Sequence, residues 1–247
     1  MAREKNSFTQ TCILVGSLIL IVIAFALSAA GLFSPSWQVV DIREFRAEHH
    51  HGLWLDCTRA ERHLATVGRE FNDGQPLHCT YKFDYSASQV IGENIEDIDH
   101  NSAAGESEHH QFFAWHKAVL GCMIVSLLFA SLALCCGLCA PCNGGCAVIF
   151  TIFVFLSLFM AVIGDGIFFF AAHRVDNRFV QGLVGTYEQR IGVAFYLHGS
   201  GTLVMMFAFL VAIIASYQIL RKSEMSNSLP LRELAPLYGS RMREAFA

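Results

Sequence analysis

One stretch decides the fold: Gly52-Leu53-Trp54-Leu55-Asp56-Cys57. It lies in the polar segment that follows a long apolar run. Trp37 precedes it in the same segment and Cys79 follows it. Tryptophan suits a boundary between apolar and polar surroundings, since its ring is apolar and its N–H is a hydrogen-bond donor. The stretch therefore predicts that this polar segment is held close to a membrane surface.

The composition indicates that lipid is a principal solvent of the chain, because 54% of its residues are hydrophobic and only 15% are charged. Residues 12–33 carry no charge over 22 positions, which is enough to cross a hydrocarbon core of roughly 30 Å. A cleaved signal peptide is the alternative for this run, but its apolar part exceeds the usual 7 to 15 residues. We predict four membrane spans, at 12–34, 118–138, 147–172 and 192–220.

Basic residues near the spans predict the orientation of the chain, because cytoplasmic flanks are rich in Lys and Arg. Arg3 and Lys5 precede the first span, and a basic group follows the last: Arg221, Lys222, Arg232, Arg241 and Arg243. Both termini are therefore expected on the cytoplasmic side, with a cytoplasmic tail at 221–247. The outer loops are then 35–117 and 173–191, and the whole chain, 1–247, is expected to form one domain.

The first outer loop is long enough for a small sheet. β-rich stretches, some of them alternating, predict strands at Trp37–Ile42, His51–Thr58 and Cys79–Tyr85. Thr58–Phe71 is expected to be a helix or an irregular insertion, and the acidic stretch Ser86–Gln111 a mobile excursion. The predicted fold class is a mainly α membrane protein, a four-transmembrane-helix bundle with a small extracellular antiparallel β-sheet.

Two cysteines of the first outer loop predict a disulfide. Cys57 and Cys79 lie on the predicted oxidising side, whereas the other cysteines lie in the spans or at the inner face. An isolated pair in an oxidising compartment favours a covalent bond over two free thiols. In the chain-entropy model, closing a loop of this length restricts the unfolded chain by about 3 kcal/mol.

Five cysteines crowd the predicted inner membrane edge. Cys136, Cys139, Cys142 and Cys146 match the spacing of a bacterial iron–sulfur run, with Cys135 beside them. The proline that follows such a run is missing, and the chain has no second run of this kind. S-palmitoylation of juxtamembrane cysteines is the favoured interpretation, and packing of small residues is the alternative.

Asp165 lies between two glycines inside the third predicted span, where an ionised carboxylate is costly unless it is paired or hydrated. His198, Lys117 and His116 are candidate partners at a similar depth. The favoured hypothesis is a polar clasp between helices, formed by Asp165 with His198 and Lys117, in which the glycines allow close approach. An ion or proton pathway is the alternative.

Three consecutive histidines, His49 to His51, precede the Gly-Leu-Trp triplet and lie near Glu44 and Glu48. A zinc site is disfavoured, because neighbouring residues of a strand point to opposite faces and zinc requires three or four ligands. A pH-responsive surface is a second hypothesis, since imidazoles change charge between pH 5 and 8. The favoured interpretation is a solvated polar end of a strand.

The residues from Pro35 to Phe113 include fourteen Asp or Glu and six Lys or Arg. A field of this sign enriches cations and repels anions over roughly a Debye length, about 8 Å at physiological ionic strength. Four acids flank the predicted anchoring strands and are the candidate charge-selectivity residues: Asp41, Glu44, Glu48 and Asp56.

Enzyme function is not expected. The chain has no G-x-S-x-G elbow, no H-E-x-x-H helix and no nucleophile and base in a recognisable arrangement. It also has no glycine loop for a nucleotide. We therefore expect no cofactor, no metal and no nucleic-acid partner.

The isolated tryptophan, the Gly-Leu-Trp triplet and the two cysteines resemble the first-loop signature of the claudin superfamily. That superfamily includes claudins, peripheral-myelin-type proteins and auxiliary gamma subunits of channels. The motif GLWLDC, the histidines before it and the long gap to Cys79 look most like the nematode Clc-like branch. The resemblance implies that Trp37 and Gly52-Leu53-Trp54 anchor a small outer sheet over four helices, with Cys57 and Cys79 bridged.

Two functions are compatible with this resemblance. The first is a plasma-membrane protein of cell junctions that binds similar chains in the same or an opposing membrane and provides adhesion, a barrier or a charge-selective path. The second is an auxiliary subunit of an ion channel or receptor. The gap of 21 residues between the cysteines is about twice that of claudins. The ending Ala245-Phe246-Ala247 lacks the Tyr-Val ending with which many claudins engage PDZ domains.

Overall fold

A computed structural model describes residues 2–42, 47–60, 78–83, 112–141, 143–181 and 186–245. The elements within these ranges are six strands and five helices. The helices are α1 (Ala2–Phe33), α2 (Ala114–Cys139), α3 (Gly144–His173), the single turn α4 (Val175–Arg178) and α5 (Val193–Ala245).

Four of the helices contain segments that are long and apolar enough to cross a membrane. These segments are Thr9–Phe33, Ala114–Cys139, Gly144–His173 and Val193–Lys222. The prediction of four membrane-spanning helices is confirmed. The last helix extends well beyond the predicted span, because α5 continues to Ala245. This extension contains many good helix formers, namely Leu, Glu, Arg, Met and Ala.

The strands form one antiparallel sheet in the order β4-β3-β2-β1-β6-β5, which confirms the predicted small antiparallel sheet. The strands are β1 (Gln38–Ile42), β2 (Ala47–His51), β3 (Leu55–Ala60), β4 (His78–Tyr81), β5 (Phe179–Gln181) and β6 (Thr186–Ile191). The first and last of the three predicted strands correspond to β1 and β4.

Two parts of the sheet differ from the sequence prediction. The predicted strand His51–Thr58 is interrupted, because Gly52 N–H donates to the Leu55 carbonyl at 2.8 Å and turns the chain between β2 and β3. The segment between α3 and α5 also joins the sheet, since β6 pairs with β1. Thr58 to Ala60 extend β3, whereas the rest of the predicted insertion and the stretch Ser86–Gln111 lie outside the described residues.

The chain divides into two compact units, which we describe separately. The first, called the sheet unit, contains residues 24–127 and 159–203, and the second, called the helical unit, contains residues 1–23, 128–158 and 204–247. The single domain expected for 1–247 stays a prediction.

The sheet unit has an apolar core to which loop and helix residues both contribute. Its buried members are Leu32, Trp37, Leu53, Val119, Met123, Phe168, Ala172 and Ala194. Gly31 and Gly201 allow α1 and α5 to approach closely, because a Cβ on Gly31 would lie 3.0 Å from His198 Cβ and one on Gly201 would lie 2.8 Å from Ser28 Oγ. Small residues at such crossings are typical of helix packing in membranes.

The helical unit is held by small residues and hydroxyl groups. Ser216 Oγ donates to the Ala147 carbonyl at 2.8 Å and lies 2.7 Å from Thr151 Oγ1. Ser17 Oγ donates to the Ala208 carbonyl at 3.2 Å. Hydroxyl groups satisfy backbone oxygens of neighbouring helices in this way where lipid offers no hydrogen bonds.

Replacement of Gly52 by alanine is expected to destabilise the sheet unit. An added Cβ would lie 2.7 Å from the Leu55 carbonyl oxygen and 3.0 Å from Pro35 Cα, and both are backbone atoms. The overpacking should lower the free energy of unfolding by about 1 to 3 kcal/mol. Thermal unfolding in detergent measures this effect. Gly121→Ala is the matched control, because nothing lies within 4 Å of its Cβ position. Equal melting temperatures of the two variants would contradict the prediction.

Candidate functional site

The candidate site is the junction between the sheet and the ends of the spans, and two indole rings define it. Trp37 Nε1 donates to the Gly31 carbonyl at 2.9 Å, and Trp54 Nε1 donates to the Leu32 carbonyl at 2.9 Å. These carbonyls belong to the last turn of α1, where a helix has no partners of its own for its C=O groups. The two tryptophans therefore cap the first span through their side chains.

The rings of these tryptophans also pack against the ends of other spans. Trp37 is only 1% exposed, and its centroid lies 4.9 Å from that of Phe168 on α3 and 6.3 Å from that of Phe195 on α5. Leu53 is fully buried in the same cluster. The motif residues therefore lie between the sheet and the ends of the helices: Trp37, Gly52, Leu53 and Trp54.

The segment beside Trp37 also satisfies the first turn of α5. The Trp37 carbonyl accepts a hydrogen bond from Gly192 N–H at 2.8 Å, and the Ser36 carbonyl accepts one from Ala194 N–H at 3.0 Å. A Cβ on Gly192 would overlap the Ser36 carbonyl oxygen. One short segment therefore joins the end of α1 to the beginning of α5.

The sheet is stapled by a disulfide between Cys57 and Cys79, as the sequence predicted. The two residues are directly opposite each other on β3 and β4. Because β4 is one of the two edge strands of the sheet, the bond fixes a strand that pairs with a neighbour on one side only.

Buried charges connect the sheet to α2. The Lys82 ammonium lies 3.4 Å from Asp56 Oδ1 and 3.2 Å from His116 Nε2, and His51 Nδ1 lies 3.1 Å from the same carboxylate oxygen. The Lys82, Asp56 and His51 side chains are at most 6% exposed, and His116 is 4% exposed. We call these four residues the junction network.

The chemistry of the four groups determines which atoms donate and which accept hydrogen bonds in the junction network. An ammonium group has only donors, so His116 accepts at Nε2 and carries its proton on Nδ1. An ionised carboxylate has only acceptors, so His51 donates from Nδ1 to Asp56. Two strands, the residue after β4 and the first turn of α2 are thereby joined by side chains taken out of water.

The junction network corrects two expectations from the sequence. His49 is 1% exposed and His51 is 5% exposed, so these histidines are not a solvated strand end. They lie two residues apart on β2 and therefore share one face of the sheet. Asp56 is 2% exposed and lies within the junction network, so it does not belong with the exposed acids.

Comparison with known proteins identifies the family of the chain. The sequence model of the Clc-like family matches residues 11–224. The chain belongs to the Clc-like family. It is 28% identical over 225 residues to Clc-like protein 2 of Caenorhabditis elegans, covering 87% of this chain and 78% of that protein. It is 26% identical over 228 residues to Clc-like protein 5 of the same organism, covering 87% and 73%. The predicted resemblance to the Clc-like branch of the claudin superfamily is confirmed.

Two of the four candidate selectivity acids of this Clc-like chain face each other on the sheet. Asp41 on β1 is directly opposite Glu48 on β2. Asp41 is exposed, and the Glu48 side chain is 43% exposed and lies 3.4 Å from His50 Nε2. Arg59 on β3 is opposite Glu48 in the register, whereas Glu44 lies outside the described residues.

Asp165 and His198 form the contact that the sequence suggested. Asp165 Oδ1 lies 2.7 Å from His198 Nδ1, and Thr202, which the sequence analysis did not single out, donates its hydroxyl to Asp165 Oδ2 at 2.7 Å. Both carboxylate oxygens therefore have partners on α5, as a clasp between helices requires. Lys117 lies elsewhere, with its ammonium 5.1 Å from the centroid of the Phe112 ring.

Four of the five clustered cysteines lie at the end of α2 and the start of α3. Cys135 and Cys139 are exposed, Cys136 and Cys146 are half-buried, and Cys142 lies outside the described residues. Across the described part of the chain, no three His, Cys, Asp or Glu side chains are placed to hold a metal ion.

Breaking the junction network is expected to destabilise the protein strongly. Lys82→Met leaves a buried carboxylate without its cation, which costs about 3 kcal/mol of unfolding free energy. The double variant Lys82→Met/Asp56→Asn should lose less than the sum of the two single variants, because the charges are removed together. Unfolding in detergent measures all three variants.

The exposed pair Arg178 and Glu188 is the matched control for this cycle. Its side chains are 49% and 45% exposed, although Arg178 Nη2 is 2.6 Å from Glu188 Oε1. Removing this surface pair should change stability by no more than about 1 kcal/mol. Strict additivity of the Lys82 and Asp56 changes would show that the two charges do not stabilise each other.

Proposed function

We propose that this Clc-like protein is a plasma-membrane protein of cell–cell contacts, with both termini in the cytoplasm and the sheet outside the cell. It contributes there to adhesion, to a barrier or to a charge-selective path between cells. Its partners are similar chains in the same membrane or in the opposing one. The observation that carries this proposal is an acidic pair on a sheet that is fastened to the ends of the spans.

The acidic pair supports a preference for cations. Carboxylates directly opposite each other on neighbouring strands repel, because their Cβ atoms are only about 4.5 to 5.5 Å apart. Asp41 and Glu48 are in this relation, and their strands are tied through the disulfide-stapled sheet to the capped end of α1. A fixed pair of negative charges concentrates cations better than charges that wander, since its field keeps one direction.

Neutralising the pair with Asp41→Asn and Glu48→Gln is expected to reduce the cation preference of an epithelial layer that expresses the protein. Dilution potentials across the layer measure this preference. Glu188→Gln is the matched control, since it neutralises an exposed carboxylate elsewhere on the same sheet, on β6. Its dilution potential should equal that of the wild type.

Two results would contradict the charge-selective role. One is an equal effect of the pair and of the control, and the other is no change in permeability when the wild-type protein is expressed. Stoichiometric co-purification with a channel or receptor would then favour the alternative function, an auxiliary subunit in the same membrane. Strands of particles at cell contacts would favour the junction.

We also propose that the inner cysteines are palmitoylated. Thiols near the end of a span are within reach of membrane-bound acylation, and an acyl chain adds membrane affinity at about 0.8 kcal/mol per buried CH2 group. Among the four described cysteines of this group, Cys135 and Cys139 are the exposed ones, which makes them the favoured acceptors.

The double variant Cys135→Ser/Cys139→Ser should lose most of the label in acyl-exchange experiments, because it removes the two exposed thiols. Cys122→Ser is the matched control, since Cys122 is a half-buried thiol in the interior of α2. It should keep the wild-type level of label. An intact mass without any acyl chain in the wild type would refute the modification.

A further inference from the structure

A row of aromatic rings continues from the end of α1 along the edge strand of the sheet. The Phe33 and Trp54 centroids are 6.0 Å apart, those of Trp54 and Tyr81 are 5.7 Å apart, and those of Tyr81 and Phe83 are 5.3 Å apart. Phe33, Tyr81 and Phe83 are 64%, 48% and 55% exposed. We call these four rings the aromatic row.

Tyr81 and Phe83 flank Lys82 in the sequence, at the end of β4 and directly after it. Tyr81 and Phe83 are exposed, whereas Lys82 is buried. Lys82 is turned inward into the junction network, and Tyr81 and Phe83 are turned outward. Lys82 N–H also donates to the Trp54 carbonyl at 3.0 Å, which keeps the edge strand beside the Gly-Leu-Trp turn.

Two spans fix the depth of the aromatic row. Phe33 is the last residue of α1, and Trp54 is bonded to the Leu32 carbonyl in the final turn of that helix. His116, in the first turn of α2, contacts Lys82, which lies between Tyr81 and Phe83 in the sequence. The row therefore lies level with the point where one apolar span ends and the next begins, which is the boundary between hydrocarbon and water.

The chemistry of this boundary matches the aromatic row. Tyrosine and tryptophan prefer the headgroup level of a bilayer, because their rings are apolar and their polar groups reach water. Lys117 is exposed and lies one residue after His116, so it places an ammonium group at the same level. A phospholipid offers upper acyl chains and glycerol to the rings and a phosphate to this ammonium group.

We infer that Phe33, Tyr81 and Phe83 bind phospholipid, so that the edge of the sheet is inserted into the headgroup region. The occupant of this exposed apolar surface is the same bilayer that covers the spans, since the row is continuous with the end of α1. The sheet is then held at the membrane by its own lipid contacts in addition to its attachment to the helices. This inference does not depend on the proposed role at cell contacts.

Photocrosslinking of the full-length protein tests the inference. Benzoylphenylalanine is placed at position 81 or 83, where it replaces one aromatic ring by another, and the protein is irradiated in phosphatidylcholine nanodiscs and in the membranes of the expressing cells. Thr186 is the control position, because it is exposed. It is the first residue of β6, so it lies at the end of that strand away from α5. Before crosslinking is measured, each variant is checked for wild-type elution in size-exclusion chromatography and for the Cys57–Cys79 bond. Two test positions are used so that one folded variant still decides the result when the other misfolds.

Mass spectrometry of the irradiated protein should show phospholipid adducts at positions 81 and 83 several-fold more often than at position 186. The inference is overturned when neither test position exceeds the control. It is equally overturned when the main product in cell membranes is a dimer of this chain or an adduct with another protein, because the row would then be a protein-docking surface.

Discussion

The capping of α1 by two indole rings is the interaction on which the rest of the sheet unit depends. A span that ends at a bilayer surface has its last carbonyls without helical partners, and leaving them unsatisfied in apolar surroundings costs several kcal/mol. The chain satisfies them with Ser34 N–H and with the N–H groups of Trp37 and Trp54. The two indole donors come from the segment that forms the sheet, so the same hydrogen bonds complete the end of the helix and position the sheet.

The loop residues also make contacts with the ends of the other spans. Backbone carbonyls of the segment after α1 accept N–H groups of Gly192 and Ala194 at the start of α5. The ring of Trp37 contacts Phe168 on α3 and Phe195 on α5. The junction network completes the set by joining the sheet to α2. Each of the four spans is thus in contact with the loop residues near one of its ends, which explains how a small sheet is held firmly without a large core of its own.

The local part of this arrangement was predictable from the sequence. Uncharged runs predict spans, and Trp37, the Gly-Leu-Trp triplet and the paired cysteines predict a fastened sheet. These predictions depend on residues close together in the chain. The junction network was not predictable, because Lys82 and His116 are separated by a long acidic stretch and nothing in their neighbourhoods marks them as partners. The histidines of β2 were misjudged for the same reason, since a polar residue type does not reveal that Asp56 and Lys82 are present to pair with it.

The position of the disulfide has a consequence for how sequences of this kind can diverge. Cys57 and Cys79 are opposite each other in register and 22 positions apart, so the bond closes the intervening chain at its base. Lengthening a closed loop is inexpensive, because each doubling of its length costs only about 0.6 kcal/mol of closure entropy. The stretch between the cysteines is therefore free to gain or lose residues while the strands keep their pairing. It is a natural place for an epitope tag.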